Sequence, residues 1–121
     1  MRILILDDQP GLAETLALSL RISGFSATGF TRPTDALEAI QENDDLVTDY
    51  HMPTMTGLEV ARLAYAQGWR GSLVIMSGHV TAISEAIEHP LLHLILNKPF
   101  STQELVKSLP DSVHRAEFPS A

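Results

Sequence analysis

Residues 3–8 of the chain read ILILDD, an uninterrupted apolar run of strand length that ends in two adjacent carboxylates, Asp7 and Asp8. Continuous rather than alternating apolar character is typical of a strand whose two faces are both covered by helices, as in a parallel α/β sheet. Residues 73–76, LVIM, have the same character and are followed by Ser77. These two runs predict the central strands of a parallel sheet.

The rest of the chain alternates strand-length and helix-period segments, so that five βα units can be counted. Weaker strands are predicted at residues 26–30, 45–48 and 91–96. Helices are predicted from apolar spacing, from a proline near the first turn, or from the capping-box spacing that satisfies free amides at a helix start. The residues that carry these signals are Leu12, Leu16 and Leu20; Pro33, Ala36, Leu37 and Ile40; Thr56 with Glu59; Val80, Ile83 and Ile87, ended by His89-Pro90; and Ser101 with Glu104.

Composition excludes several classes of function. The 121 residues fit one domain, and a formal net charge of -7 with only 8 basic residues argues against a nucleic-acid surface. The chain has no cysteine, which excludes disulfides, thiolate catalysis and zinc sites built on sulfur, and suits a cytoplasmic location. We find no run long enough for a signal-peptide core or a membrane span, so we expect a soluble chain with no membrane partner.

Five polar residues follow the predicted strands: Asp7, Asp8, Asp49, Ser77 and Lys98. The carboxyl ends of parallel strands meet at one edge of the sheet, where such proteins bind their ligands. Three carboxylates at that edge repel each other, so a hard divalent cation, Mg²⁺ or Mn²⁺, is expected. Phosphoryl transfer then needs only a nucleophile and positive charge near the phosphoryl oxygens. Asp49 would supply the nucleophile, the metal and Lys98 the charge, and Ser77 a hydrogen-bond donor.

These motifs carry a family resemblance. The chain resembles the receiver domain of two-component response regulators from about residue 2 to residue 109, with every motif in order. The matching elements are Asp7-Asp8, Asp49-Tyr50-His51-Met52-Pro53 followed by Gly57, Ser77-Gly78, and Lys98-Pro99-Phe100. We therefore expect a receiver domain over residues 1–109, and a helix end, linker or tail over residues 110–121.

The resemblance implies a flavodoxin-like (βα)₅ fold, with a parallel sheet in the order 2-1-3-4-5 and helices on both faces. It implies that Asp49 is phosphorylated by a phosphohistidine of a sensor histidine kinase or a histidine phosphotransfer domain, and that an interaction surface changes in response. The domain would catalyse only its own phosphorylation and dephosphorylation. The implied metal ligands are Asp8, Asp49 and the backbone carbonyl of His51, with Asp7 acting through water. Ser77 and Lys98 would contact the phosphoryl group.

Two features depart from the family pattern. Ile95 occupies the position of a Tyr or Phe that swings inward on activation in many receivers, and Pro90 replaces the small-residue turn common before the fifth strand. Both bear on the output surface and not on phosphorylation. His51 and His79 lie two residues beyond the acceptor and the hydroxyl, and we hypothesise that they tune the lifetime of the phosphorylated state; two exposed loop imidazoles without a kinetic role are the alternative.

The same residues allow other interpretations. Asp7 and Asp8 alone could be a helix cap, and His89 with His93 receive no site because Pro90 separates them. A haloacid-dehalogenase-like phosphatase would want an Asp-x-Asp pair after its first strand, and a flavin binder would need a first loop that attracts phosphate. A degenerate receiver that acts only as an interaction module is the remaining alternative. Both a stand-alone regulator and a segment of a hybrid kinase or transcription factor, with an output partner that the sequence does not name, are compatible with this sequence.

Overall fold

The computed structural model describes residues 2–78, 86 and 88–110. Within them, five parallel strands form one sheet in the order β2-β1-β3-β4-β5. The strands are β1 (Ile3–Leu6), β2 (Ala27–Phe30), β3 (Asp45–Asp49), β4 (Leu73–Ser77) and β5 (Leu92–Asn97). The five predicted strands and their order are therefore confirmed, with ends that shift by one residue at most.

The described part of the chain has four helices: α1 (Pro10–Ile22), α2 (Pro33–Ala39) and α3 (Gly57–Ala66) follow β1, β2 and β3, and α4 (Thr102–Ser108) follows β5. Both predicted capping boxes are present, with Thr56 and Ser101 each accepting from the backbone N–H three residues later. The predicted helix over residues 80–87 lies almost wholly outside the described residues, as does the tail beyond residue 110.

The sheet is covered on both faces, and the alternation along β1 divides the core in two. Leu4 and Leu6 pack with residues of α2 and α3, whereas Ile3 and Ile5 pack with residues of α1 and α4. All four β1 side chains are buried, as the unbroken apolar run predicts. This arrangement confirms the predicted α/β fold with helices on both faces.

The buried face of α1 differs from the predicted leucine stripe. Ala13, Ala17 and Leu20 are its buried residues, whereas Leu12 and Leu16 are only half-buried. Small alanines allow the helix backbone to approach the sheet closely, and the leucines move to its flank. The leucine spacing was correct as a helix signal, and of its three leucines only Leu20 is fully buried.

Candidate functional site

Three carboxylates meet at the carboxyl edge of the sheet, as predicted. Leu6 of β1 pairs with Thr48 of β3, so the next residues, Asp7 and Asp49, lie side by side. One carboxylate oxygen from each of Asp7, Asp8 and Asp49 lies within 4.8 Å of the others. Asp7 and Asp49 are buried, and Asp8 is partly exposed. The cluster concentrates negative charge where the two central strands end.

Lys98, the residue directly after β5, faces this cluster. Its backbone N–H donates to the carbonyl of Ser77 at 2.9 Å, which holds the end of β5 beside the end of β4. Its side chain reaches across β4, so that Nζ lies 3.0 Å from Asp49 Oδ1 and 3.4 Å from Asp7 Oδ2. The lysine therefore joins the two buried carboxylates from the opposite side of the site.

The electrostatics show that one lysine does not balance three carboxylates. Burial raises the pKa of the Asp49 carboxyl above its ordinary value; the hydrogen bond and charge of Lys98 pull it down, and the charges of Asp7 and Asp8 push it up again. Burial alone would lower the pKa of Lys98, but its contacts with Asp49 and Asp7 outweigh burial and raise it. The site retains an excess of negative charge that a cation can relieve.

Ser77 is the last residue of β4, and it is buried between the strands that carry Asp49 and Lys98. Its backbone pairs with Asn97, directly before Lys98. The sheet thus places the three polar residues of the predicted phosphoryl site at the ends of three adjacent strands. Gly78, the next residue, is exposed.

His51 lies in the loop after Asp49, where its side chain is exposed and its ring meets the Tyr50 ring edge-on at 4.9 Å. The backbone of this loop is fixed by Tyr50, whose N–H donates to Met76 and whose carbonyl accepts from the N–H of Gly57. His79, the second predicted imidazole, lies outside the described residues.

Gly57 has a role that its place in the family motif did not explain. A Cβ built on Gly57 would lie 2.3 Å from the carbonyl oxygen of Asp49, far inside van der Waals contact. Only glycine lets the start of α3 approach the acceptor so closely. The sequence signal was a glycine directly after the cap residue Thr56, but a sequence does not show what the glycine touches.

The loop between β1 and α1 does not use its two aspartates to cap the helix. Gln9 is the N-cap residue of α1, and it makes no side-chain cap hydrogen bond. Asp7 accepts from the backbone N–H of Gln9 at 3.0 Å with one oxygen and faces Lys98 with the other. Neither aspartate caps α1, so the helix-cap alternative for Asp7 and Asp8 is wrong.

An apolar groove of about 440 Å³ opens beside the site. It is lined by Leu12 and Leu16 of α1 and by Lys98, Pro99 and Phe100, where the Lys98-Pro99 peptide bond is cis. The groove therefore places apolar surface next to Lys98, whose ammonium group contacts Asp7 and Asp49 of the acidic cluster. A partner that reaches Asp49 could rest on it.

His89 and His93 are the other histidines in the described part of the chain, and they form no site with each other. His89 is buried against the rings of Tyr65 and Trp69, and its Nδ1 accepts from the N–H of Leu91 at 3.1 Å. His93 is exposed. Trp69 packs in the core and donates its indole N–H to the carbonyl of Asp44 at 2.6 Å.

The fold and the site together define an open α/β domain with an acidic cluster, a hydroxyl and a lysine at the carboxyl edge of its sheet. A family model for the response regulator receiver domain matches residues 3–110. The chain belongs to this family, whose members are signalling domains of two-component systems that interact with histidine kinases or phosphotransfer proteins.

Individual relatives of the chain are also response regulators or receiver domains. The response regulator receiver protein CpdR of Brucella abortus is 30% identical, over 89% of this chain and 92% of CpdR. The transcriptional regulatory protein FixJ of Azorhizobium caulinodans is 30% identical over 93% of this chain, but the chain spans about half of FixJ, 54%. A response regulator receiver domain protein of Clostridium thermocellum has the same fold, with a TM-score of 0.81 at 22% identity and 98% coverage of both chains.

Among the residues that the structure describes, no helix combines the length and the apolar character needed to cross a membrane.

Proposed function

We propose that this domain accepts a phosphoryl group on Asp49 from a phosphohistidine of a sensor histidine kinase or a histidine phosphotransfer domain, in the cytoplasm, and that a protein-interaction surface changes in response. The observation that carries the proposal is the position of the Asp49 carboxylate. It lies within 4.8 Å of two further carboxylates and 3.0 Å from the ammonium group of Lys98. A nucleophilic oxygen, a cation site and a fixed positive charge are thereby brought together.

The donor set fits Mg²⁺ or Mn²⁺. Carboxylate oxygens of Asp7, Asp8 and Asp49 lie close enough to surround one cation, and hard divalent cations prefer oxygen ligands. The family resemblance implies the backbone carbonyl of His51 as a further ligand, with Asp7 acting through water. Burial raises the pKa of Asp49 and the charges of Asp7 and Asp8 add to the rise, so a bound cation would favour the ionised carboxylate. When bound, Mg²⁺ supplies positive charge to the phosphoryl oxygens as charge develops on them.

The protein's own residues then act as follows. A carboxylate oxygen of Asp49 attacks phosphorus, the P–N bond to the donor imidazole breaks, and the imidazole nitrogen keeps the bonding electron pair and takes up a proton. Lys98 neutralises charge on the transferred group, and Ser77 donates a hydrogen bond to one of its oxygens. Hydrolysis of the acyl phosphate by water returns the Asp49 carboxylate and releases phosphate.

The apolar groove is the proposed resting place of the phosphodonor. It is lined by Leu12, Leu16 and Phe100, and Lys98 forms its end toward the acidic cluster. A donor helix seated there would present its imidazole near Asp49.

The output does not use the usual aromatic rotamer. Ile95 is half-buried and packs against the core beneath α2 and α3, where it has no ring to swing. We propose that the change in surface instead begins at Ser77, the last residue of β4, as its side chain is drawn toward the phosphoryl group. The downstream partner of this surface is another protein.

The test is the intact mass of the protein after incubation with Mg²⁺ and a small-molecule phosphodonor such as acetyl phosphate. The parent should gain one phosphoryl group. Asp49→Asn should gain none, EDTA should prevent the gain, and Asp35→Asn, the same change at an exposed position on α2, should behave as the parent. If the folded parent gains nothing, the proposal fails and a phosphorylation-independent interaction module takes its place.

A further inference from the structure

The outward face of α1 lacks charge and carries two exposed large apolar side chains. Leu18 is 50% exposed and Ile22 is 77% exposed, and they lie one helical turn apart. Gly11 and Thr15, also exposed, share this side of the helix because they recur at spacings of three and four residues. We call Gly11, Thr15, Leu18 and Ile22 the α1 stripe. The stripe is separate from Leu12 and Leu16, which line the groove beside Lys98.

Exposed apolar surface of this kind indicates a contact with another molecule. Helix α1 has only two charged residues, Glu14 and Arg21, and these pair with each other at 3.0 Å along one flank of the stripe. The chain as a whole carries a formal net charge of -7, which makes most faces of two copies repel each other. The α1 face is locally neutral and escapes that repulsion.

The stripe is also complementary to itself in shape. Its amino-terminal half is small, with Gly11 and Thr15, and its carboxyl-terminal half is large, with Leu18 and Ile22. If a second α1 runs antiparallel, with a two-fold axis level with residues 17 and 18, Ile22 of each copy lies between Gly11 and Thr15 of the other. The large Ile22 then meets small residues at both ends of the contact, which ridge-and-groove packing favours, and the two copies of Leu18 meet at its centre.

The charged residues Glu14 and Arg21 on the flank of the stripe also favour the antiparallel arrangement. About this axis, Glu14 of one copy is level with Arg21 of the other, and the two-fold operation keeps both on the same side of the contact. Two reciprocal ion pairs therefore add to the pair already present within each chain. A parallel two-fold arrangement would instead place the two charged flanks on opposite sides of the contact, so that no ion pair would form between the copies.

We propose that the α1 stripe binds the α1 stripe of a second copy of this chain, antiparallel and about a two-fold axis near Leu18. One helix face buries less surface than a stable interface needs, so the dimer is weak and reversible. The contact uses none of the residues of the acidic cluster and is independent of phosphorylation at Asp49.

Sedimentation velocity of the unphosphorylated full chain tests the contact. Between about 10 µM and about 1 mM, the range in which a contact of this size dissociates, the parent should shift from monomer toward dimer. Ile22→Lys should abolish this shift, because it places like charges at both ends of the contact. Leu63→Lys makes the same kind of change on α3, where Leu63 is 46% exposed, and should leave the shift intact.

A cysteine cross-link tests the orientation, because the chain has no native cysteine. Leu18→Cys lies beside the two-fold axis and should form a disulfide dimer on oxidation. Ile22→Cys should not, since its two copies would be separated along the helices by about 14 Å, twice the Cα distance that a disulfide spans. Three results would each overturn the proposal. The first is efficient cross-linking at both positions, and the second is a parent that remains monomeric at the highest concentration. The third is an equal loss of the shift toward dimer in Ile22→Lys and Leu63→Lys.

Discussion

Asp45, the first residue of β3, is a buried carboxyl group at the sheet edge opposite the acidic cluster. Its Oδ1 accepts from the N–H of Ser72 at 3.0 Å, whereas its Oδ2 is buried without a hydrogen-bond partner among the described residues. Burial raises its pKa from 3.8 to about 6; the Ser72 hydrogen bond opposes the rise, Asp44 adds to it, and His93 opposes it. The ionised form is therefore disfavoured in the folded state.

The raised pKa of Asp45 makes the free energy of unfolding depend on pH. The folded chain holds its proton up to about pH 6, whereas the unfolded chain loses it near the ordinary value of 3.8. The free energy of unfolding should therefore fall as pH rises from about 4 through about 6. Asp45→Asn removes the ionisation and should raise the free energy of unfolding at pH 8 by about 1 to 3 kcal/mol, with no gain remaining below pH 4.

Urea denaturation at pH 4, 6 and 8 checks this prediction. Glu38→Gln, which removes a carboxylate from an exposed position on α2, serves as the control and should show no such trend. A constant difference between Asp45→Asn and the parent across the three pH values would mean that Asp45 does not titrate between them.

His51 is the exposed imidazole nearest the acceptor in sequence among the described residues. A neutral imidazole can accept a proton from a water that attacks the acyl phosphate. His51→Ala should therefore lengthen the half-life of phosphorylated Asp49 by about threefold.

The half-life is measured by loss of phosphoryl mass after the phosphodonor is removed. His93→Ala, which also removes an exposed imidazole but at a site distant from Asp49, should decay at the parental rate. If His51→Ala decays as fast as the parent, His51 is an exposed loop residue without a kinetic role.

At the scale of elements, the loop between β3 and α3 positions the acceptor. Gly57→Ala would force a methyl group to within 2.3 Å of the Asp49 carbonyl, so the backbone of the site must move. We expect the free energy of unfolding to fall by about 1 to 3 kcal/mol, the usual cost of overpacking, together with slower phosphorylation.

Gly11→Ala is the matched control, because nothing lies within 4 Å of a Cβ at that position of α1. In dilute protein it should stabilise the fold by about 0.5 to 1 kcal/mol, since alanine loses less backbone entropy than glycine in a helix. Urea denaturation of both variants gives the comparison. Equal stability of Gly57→Ala and the parent would show that the loop relaxes without cost.

The elements show what the sequence pattern could predict and what it could not. Strand positions followed from continuous apolar runs, and two helix starts followed from capping boxes, because both signals are local. The buried face of α1 could not be predicted in the same way, since Leu12, Leu16 and Leu20 have the stronger spacing but Ala13 and Ala17 make the close contact. Which face packs depends on the distance between helix and sheet, a property of the tertiary structure.

At the scale of the whole molecule, the site was predictable because the parallel sheet collects the residues that follow its strands. Asp7, Asp49 and Lys98 are separated widely in sequence, and the topology alone brings them to one edge. Two contacts were not predictable: the close approach of Gly57 to Asp49, and the second contact of Lys98, with Asp7. The spacing of residues in a sequence does not determine how far a side chain reaches or how closely two backbone segments approach. The neutral outward face of α1 also appears only once buried and exposed residues are distinguished.

The acidic cluster should link metal binding to the stability of the whole domain. Without a cation, three carboxylates within 4.8 Å face one lysine, and their repulsion opposes folding. A cation that binds only the folded state stabilises it; Mg²⁺ at about ten times its dissociation constant adds about 1.4 kcal/mol. For a chain of this size, that corresponds to a rise in melting temperature of about 4 to 8 °C.

Thermal unfolding in MgCl₂, compared with NaCl of equal ionic strength, measures this rise, and EDTA should reverse it. Asp8→Asn, a change at the partly exposed member of the cluster, should respond in two ways. Without Mg²⁺ it should melt above the parent, because one of three like charges is gone, and it should lose most of the Mg²⁺-dependent rise, because a ligand is gone. Asp35→Asn should keep the full rise. If Mg²⁺ stabilised Asp8→Asn as much as the parent, the cation would be bound elsewhere, and the excess charge at this edge would have to be balanced by Lys98 alone.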